Sequence, residues 1–172
     1  HASTFGGNPV ACAAALETIR LLKEQLMANA AVVGARMLQG LWALAEKHPL
    51  IGDVRGRGLM LGVELVRDRQ TKERAVEERN AVVNAAFKRG LLILGAGKNT
   101  VRFCPPLVLT ASEADTAVAI FDEALTEVER EVRRFARTRI EDLMDSREPQ
   151  LLAGIVSDMR VINGQRGKLA IF

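Results

Sequence analysis

The sequence predicts an α/β architecture, an α+β domain with helices on one side of a mostly antiparallel sheet, followed by a partial β module. Three observations predict it. Apolar residues recur three or four apart over several long stretches, the mark of amphipathic helices. Between these stretches lie short Val- and Leu-rich runs punctuated by glycine, at residues 54–65 and 91–103, which have the composition of strands. Past Arg130 the chain changes character, to an arginine-rich run and then new strand-like segments, so residues 1–130 and 131–172 are expected to be separate modules.

Taken in order, Asn8 before Pro9 is a helix entry. The Asn side chain can accept bonds from the first amides, and Pro at the first helical position lacks a donor that would have no partner there. From residue 10 to about residue 45, Leu16, Ile19, Leu22, Leu26, Val33, Met37, Leu41 and Leu44 keep helical spacing. This predicts one long helix or two abutting ones, with Asn29 and Gly34 as weak points and His48, Pro49 and Gly52 as the stop. Residues 54–65 read as two short strands, with Gly56, Gly58 and Gly62 where a turn or close backbone approach would need them. Val76, Val83 and Phe87 fall on one face of a second helix that Gly90 caps. Residues 91–94 and 101–103 form a hairpin around Gly95-Ala96-Gly97-Lys98-Asn99, and Pro105-Pro106 forbids helix there. Thr110 and Glu113 have capping-box spacing, ahead of a stripe of Ala114, Ala117, Phe121, Leu125 and Val128. Residues 131–144 read as helix, 146–149 as a break, and 151–156 and 169–172 as strands. The absence of an initial Met and a strand left open at Phe172 predict truncation.

With 48% hydrophobic and 26% charged residues, the chain can bury a core and is not of disordered or fibrous composition. No apolar run approaches the roughly 18 to 20 residues of a membrane span, and no signal-peptide pattern opens the chain. Cys12 and Cys104 have neither zinc-site spacing nor the density of a disulfide scaffold, so a cytoplasmic setting is expected. The net charge of +3 comes from dispersed basic and acidic residues and names no partner.

Two places invite chemistry. In the opening His1-Ala2-Ser3-Thr4-Phe5-Gly6-Gly7-Asn8-Pro9, the helix start points free amides and a positive dipole end toward a glycine loop, and Thr4 adds a hydroxyl. Such a loop can hold a phosphate, but taken alone it reads first as a capped helix start and nothing more. Arg102, between Val101 and Phe103, projects to the opposite face of its strand, where its fork could clamp a carboxylate or simply be solvated. Arg55 and Arg57 share that ambiguity. Neither Gly97-Lys98 nor Gly167-Lys168 completes a nucleotide phosphate loop, and the glycines of residues 52–62 do not make a dinucleotide fingerprint. His1 and His48 lack neighbours for a metal site or a Ser-His-Asp arrangement, so no metal ligand is assigned.

Residues 3–14, Val54-Arg55-Gly56-Arg57-Gly58-Leu59-Met60-Leu61-Gly62-Val63-Glu64-Leu65 and Val101-Arg102-Phe103-Cys104-Pro105-Pro106-Leu107 together resemble, in order and spacing, the class III aminotransferases of the 4-aminobutyrate and ornithine type. The resemblance covers about residues 1–130. It implies a fold-type I, pyridoxal 5'-phosphate-dependent enzyme, normally a homodimer, that moves an amino group from an amine or amino acid to a 2-oxo acid. It places Ser3 and Thr4 at the cofactor, with Thr4 donating to its phosphate across the subunit boundary in many members, and Arg102 on the substrate carboxylate. In the family the Schiff-base lysine precedes the position of Thr4, so no catalytic residue is assigned, and neither Lys23 nor Lys98 replaces it. This chain alone is therefore expected to be inactive. Residues 131–172 instead resemble the region of bacterial DNA polymerase III alpha subunit that leads into its OB fold, through Ala153-Gly154-Ile155-Val156 and Arg166-Gly167-Lys168. They suggest a fusion and leave a second reading, a nucleic-acid-binding fragment that uses Arg160, Arg166 and Lys168.

Overall fold

The computed structural model describes residues 6–135, 160–164 and 167–171, and the chain divides into two compact units, His1–Val128 and Glu129–Phe172. In the first, Asn8 opens α1 (Pro9–Leu21) as expected: its Oδ1 accepts from the amides of Val10 at 3.0 Å and Ala11 at 3.2 Å. Helix continues through one π-helical turn, Leu22–Leu26, into α2 (Met27–Lys47). The irregularity therefore sits at Leu22–Leu26, not at the expected weak points. Asn29 is a fastener: its Nδ2 donates to the carbonyls of Leu107 at 2.7 Å and Leu109 at 3.0 Å. Gly34 is a backbone contact, since a Cβ there would stand 2.1 Å from the Gly58 carbonyl oxygen. Gly58 itself needs its freedom, at φ +55° in the turn that follows residue 57.

Strands β1 (Ile51–Arg57), β2 (Met60–Asp68), β4 (Leu94–Ala96) and β5 (Thr100–Phe103) form an antiparallel sheet in the order β1-β2-β5-β4, and the two-residue β3 (Glu73–Arg74) pairs with β2. Register and alternation sort the side chains. Val54 lies opposite Val63 and Val63 opposite Val101, while Leu61 faces Phe103, and all five are buried. They form one core with Val33, Met37 and Leu41 of α2, with Val82, Ala85 and Ala86 of α3 (Val76–Lys88), and with Phe121, Leu125 and Val128 of α4 (Ala111–Phe135). The helices thus line one side of the sheet, as the sequence predicts. Phe103 meets Phe121 edge to face, with ring centroids 5.1 Å apart.

One helix face differs from expectation. On α3 the buried residues are Val82, Ala85 and Ala86, whereas Val76 and Phe87 are exposed. Two alanines let the helix axis approach the sheet more closely than larger side chains would, so the small residues define the seam. Its end is as predicted: Gly90 adopts φ +87°, and the amides of Gly90 and Leu91 donate to the carbonyls of Phe87 and Ala86, the paired bonds of a Schellman cap. The hairpin forms too, although its first strand begins only at Leu94 and includes Gly95 and Ala96. The capping box is reciprocal, with the Thr110 amide donating to Glu113 Oε2 at 2.8 Å and the Glu113 amide to Thr110 Oγ1 at 3.3 Å.

In the second unit β6 (Arg160–Gly164) pairs antiparallel with β7 (Gly167–Ile171), which overlaps the strand expected at 169–172. The strand expected at 151–156 and the arginine-rich helix beyond Phe135 lie outside the described residues.

Candidate functional site

The face of the sheet away from the helices carries the polar chemistry. Pairing places Arg55, Gly62, Arg102 and Leu94 in one row across β1, β2, β5 and β4, with Asp53, Glu64, Thr100 and Ala96 in the next. None of these eight is buried. Gly62 leaves a gap in the side-chain row between the two arginines.

The two arginines differ in their partners. Arg55 donates to Asp53 Oδ2 at 2.5 Å and to Glu64 Oε2 at 2.9 Å. These bonds, Asp53 first and Glu64 second, raise its pKa further above an already high value, so it is permanently charged and neutralised in place. The other Glu64 oxygen, Oε1, accepts from Asn99 Nδ2 at 3.3 Å, and Asn99 is itself buried and anchored by the Leu65 carbonyl at 2.7 Å. Arg102 is exposed and has no ion-pair partner among the described residues. Arg57 is likewise exposed, at the end of β1. A guanidinium without a carboxylate, on an open sheet face, has its donors free for water or for an anion. The hairpin that presents Arg102 is secured from α3, where Arg79 donates to the Lys98 carbonyl at 3.0 Å and occupies the space a Gly95 side chain would need.

At the start of α1 the expectation of free amides fails. Pro9 has none, Asn8 Oδ1 takes those of Val10 and Ala11, and the Cys12 amide bonds the Asn8 carbonyl. The side-chain cap has used the donors that a phosphate would have taken, so a phosphate near this end must rely on other groups. The two residues assigned to that role, Ser3 and Thr4, lie outside the described residues. Asp53, Glu64 and Asn99 were not singled out from sequence. For Glu64 the signal is the alternation of β2, readable only once Gly62 is placed opposite both Arg55 and Arg102; Asp53 on β1 and Asn99 in the turn before β5 are joined to it by strand pairing alone. Among the described residues no three His, Cys, Asp or Glu side chains gather where they could hold a metal ion, and no helix is long and apolar enough to cross a membrane.

Residues 1–125 match the family model described as aminotransferase class-III. Taurine–pyruvate aminotransferase of Bilophila wadsworthia is 45% identical over 135 residues, which cover 74% of this chain and 30% of that protein. Acetylornithine aminotransferase of Gloeobacter violaceus is 47% identical over 124 residues, 71% of this chain and 29% of its own. An amine transaminase from an uncultivated Pseudomonas species, solved in its PLP-bound internal aldimine form, superposes with a TM-score of 0.69 at 36% identity, covering 74% of this chain and 30% of that one. The chain thus spans about 30% of the length of these relatives. The family match ends at residue 125, and the resemblance of residues 131–172 to a polymerase subunit finds no support in these comparisons.

Proposed function

Because the chain belongs to the class III aminotransferases, we propose that it forms part of an enzyme moving an amino group from an amine or amino acid to a 2-oxo acid, in which Arg102 holds the substrate carboxylate. The observation that carries this reading is the pair of arginines flanking Gly62: one saturated by Asp53 and Glu64, the other open and without an ion pair among the described residues. A planar fork suits a carboxylate because both oxygens can be met at once, which fixes orientation as well as position.

The family works with pyridoxal 5'-phosphate, which when bound supplies the electron sink for amino-group chemistry. The amides of Val10 and Ala11 are taken by Asn8, and Ser3 and Thr4 would hold the phosphate from the loop ahead of α1. In a homodimer Thr4 would act across the subunit boundary. A cytoplasmic setting fits the two free, exposed thiols, Cys12 and Cys104. The same reading assigns residues 1–130 to the enzyme and 131–172 to a separate segment, supported by the division of the chain between Val128 and Glu129.

The test is a pair of variants in a family-length enzyme that carries this segment. Arg102→Lys should lower kcat/KM for carboxylate substrates roughly tenfold to a hundredfold, the range of a lost charge-assisted bond of about 1.5 to 3 kcal/mol, without loosening the cofactor. Thr4→Ala should do the reverse, weakening cofactor retention and leaving carboxylate selectivity alone. If Arg102→Lys sheds cofactor while Thr4→Ala only raises KM, the two roles are wrongly assigned.

A further inference from the structure

We propose that Arg55 is a positioning residue that holds Glu64 away from Arg102, so that Arg102 stays free for an anionic ligand; the functional part of this rests on the carboxylate role of Arg102.

Gly62 lies opposite Arg55 on one side and Arg102 on the other, and Glu64, two residues further along β2, projects to the same face. Glu64 is therefore a diagonal neighbour of both arginines. Its direct partners are Asp53 and Thr100, and each arginine stands two residues beyond one of them. Diagonal positions on one sheet face are about 7 to 8 Å apart, within reach of two long side chains, so register alone gives Glu64 two equivalent arginines. It pairs with Arg55, at 2.9 Å. Two features of the structure favour that choice. Asp53 binds the same guanidinium nitrogen of Arg55 and fixes it beside β2, and the buried Asn99 holds the second Glu64 oxygen. Gly62 puts no side chain of its own in the gap; the nearest group there is the Thr100 methyl, 3.4 Å from where a Gly62 Cβ would stand, which a carboxylate swinging from one arginine to the other would pass.

Removing Arg55 would release Glu64 to the other diagonal. Arg102 would then be neutralised by its own strand neighbour, and a ligand carboxylate would have to compete with it. An exposed ion pair of this kind contributes modestly, so the expected loss of carboxylate affinity is about twofold to fivefold.

NMR of the arginine Nε–H groups of the full chain tests this, with Arg102 identified by the signal lost in Arg102→Lys and acetate as the probe. In the wild type the Arg102 signal should be that of an unpaired guanidinium and should move on addition of acetate. In Arg55→Gln it should already be displaced without acetate, and the apparent acetate affinity should fall by that factor. The double variant Arg55→Gln/Glu64→Gln should restore both, and Arg55→Lys, which keeps the charge, should stay near wild type. An Arg102 signal untouched by Arg55→Gln, or a displacement that persists after Glu64→Gln, overturns the proposal. A wild-type Arg102 signal indifferent to acetate counts against the carboxylate role instead, while the ligand-free comparison of single and double variants still decides what Arg55 does.

Discussion

The two faces of the sheet are built from the same strands and have opposite properties. On one, Val54, Leu61, Val63, Val101 and Phe103 are sealed under three helices; on the other, one residue along the chain in each case, stand Arg55, Gly62, Glu64 and Arg102. The covered face spends its side chains on excluding water. On the open face Asp53, Arg55 and Glu64 are locked into one network, while Arg57 and Arg102 have no ion pair among the described residues. Strand alternation thus lets a short segment such as residues 100–103 serve stability and chemistry at once, and predicts that substitutions on the two faces fail in different ways.

The largest effect should come from Phe103→Ala, which removes a ring from the core and from its edge contact with Phe121. Such truncations cost about 3 to 5 kcal/mol, read as a lowered urea midpoint at unchanged slope. A near-neutral result would mean that the covered face is not the one that holds the unit together. Gly34→Ala should follow, at about 3 kcal/mol, because its Cβ would collide with the Gly58 backbone, which cannot rotate out of the way as a side chain can. If Gly34→Ala is tolerated while Gly40→Ala, which meets only the Val118 side chain, is not, the contact between α2 and the turn after β1 is misassigned.

Asp122→Ala comes next, at about 1.5 to 3 kcal/mol, the range for hydrogen bonds to charged groups. Asp122 Oδ1 accepts from Lys47 Nζ at 2.6 Å and lies 2.7 Å from Nε2 of the buried His48, joining the end of α2 to α4. Burial pushes the Asp122 carboxyl up, but Lys47 and His48 together outweigh it and hold it below the usual carboxylate value. A depressed pKa gives stability that is fully present above the unfolded value of about 3.9 and is lost as the pH falls through the folded value. The gap in urea midpoint between wild type and Asp122→Ala should therefore be full at pH 7 and shrink below about pH 4. A constant gap down to pH 3 would show that the contact stabilises by packing and not by charge.

What could be read from the sequence follows the same division. The caps at Asn8, Gly90 and Thr110–Glu113 were legible because each depends on residues a few positions apart, and so was the stripe of α4, where large apolar side chains mark the core. The buried face of α3 was not, because alanines at 85 and 86 are silent in a search for large residues. At α1 the cap and the free amides were competing readings of the same residues, and the sequence does not say that the one Asn side chain takes two amides. At the candidate site Arg102 was visible as a strand arginine, but its difference from Arg55 is a property of pairing between strands far apart in sequence.

The smallest effect on folding should belong to Arg102→Gln, and this is where the comparison of faces is most exposed to failure. A side chain that is open to solvent and has no ion pair contributes little beyond the packing of its stem, so the change in stability should stay within about 0.5 kcal/mol. Arg55→Gln removes contacts with two carboxylates and should cost somewhat more, within about 1 kcal/mol, with the loss diminishing as salt screens the pair. Urea midpoints of both variants at low and high salt give the comparison. If Arg102→Gln proved as damaging as a core truncation, Arg102 would be a support of the fold, and its lack of a partner could no longer be read as readiness for a ligand. If instead the fold ignores the substitution while carboxylate binding is lost, the open face is shown to be free of structural duty at the one position where the chemistry needs it to be.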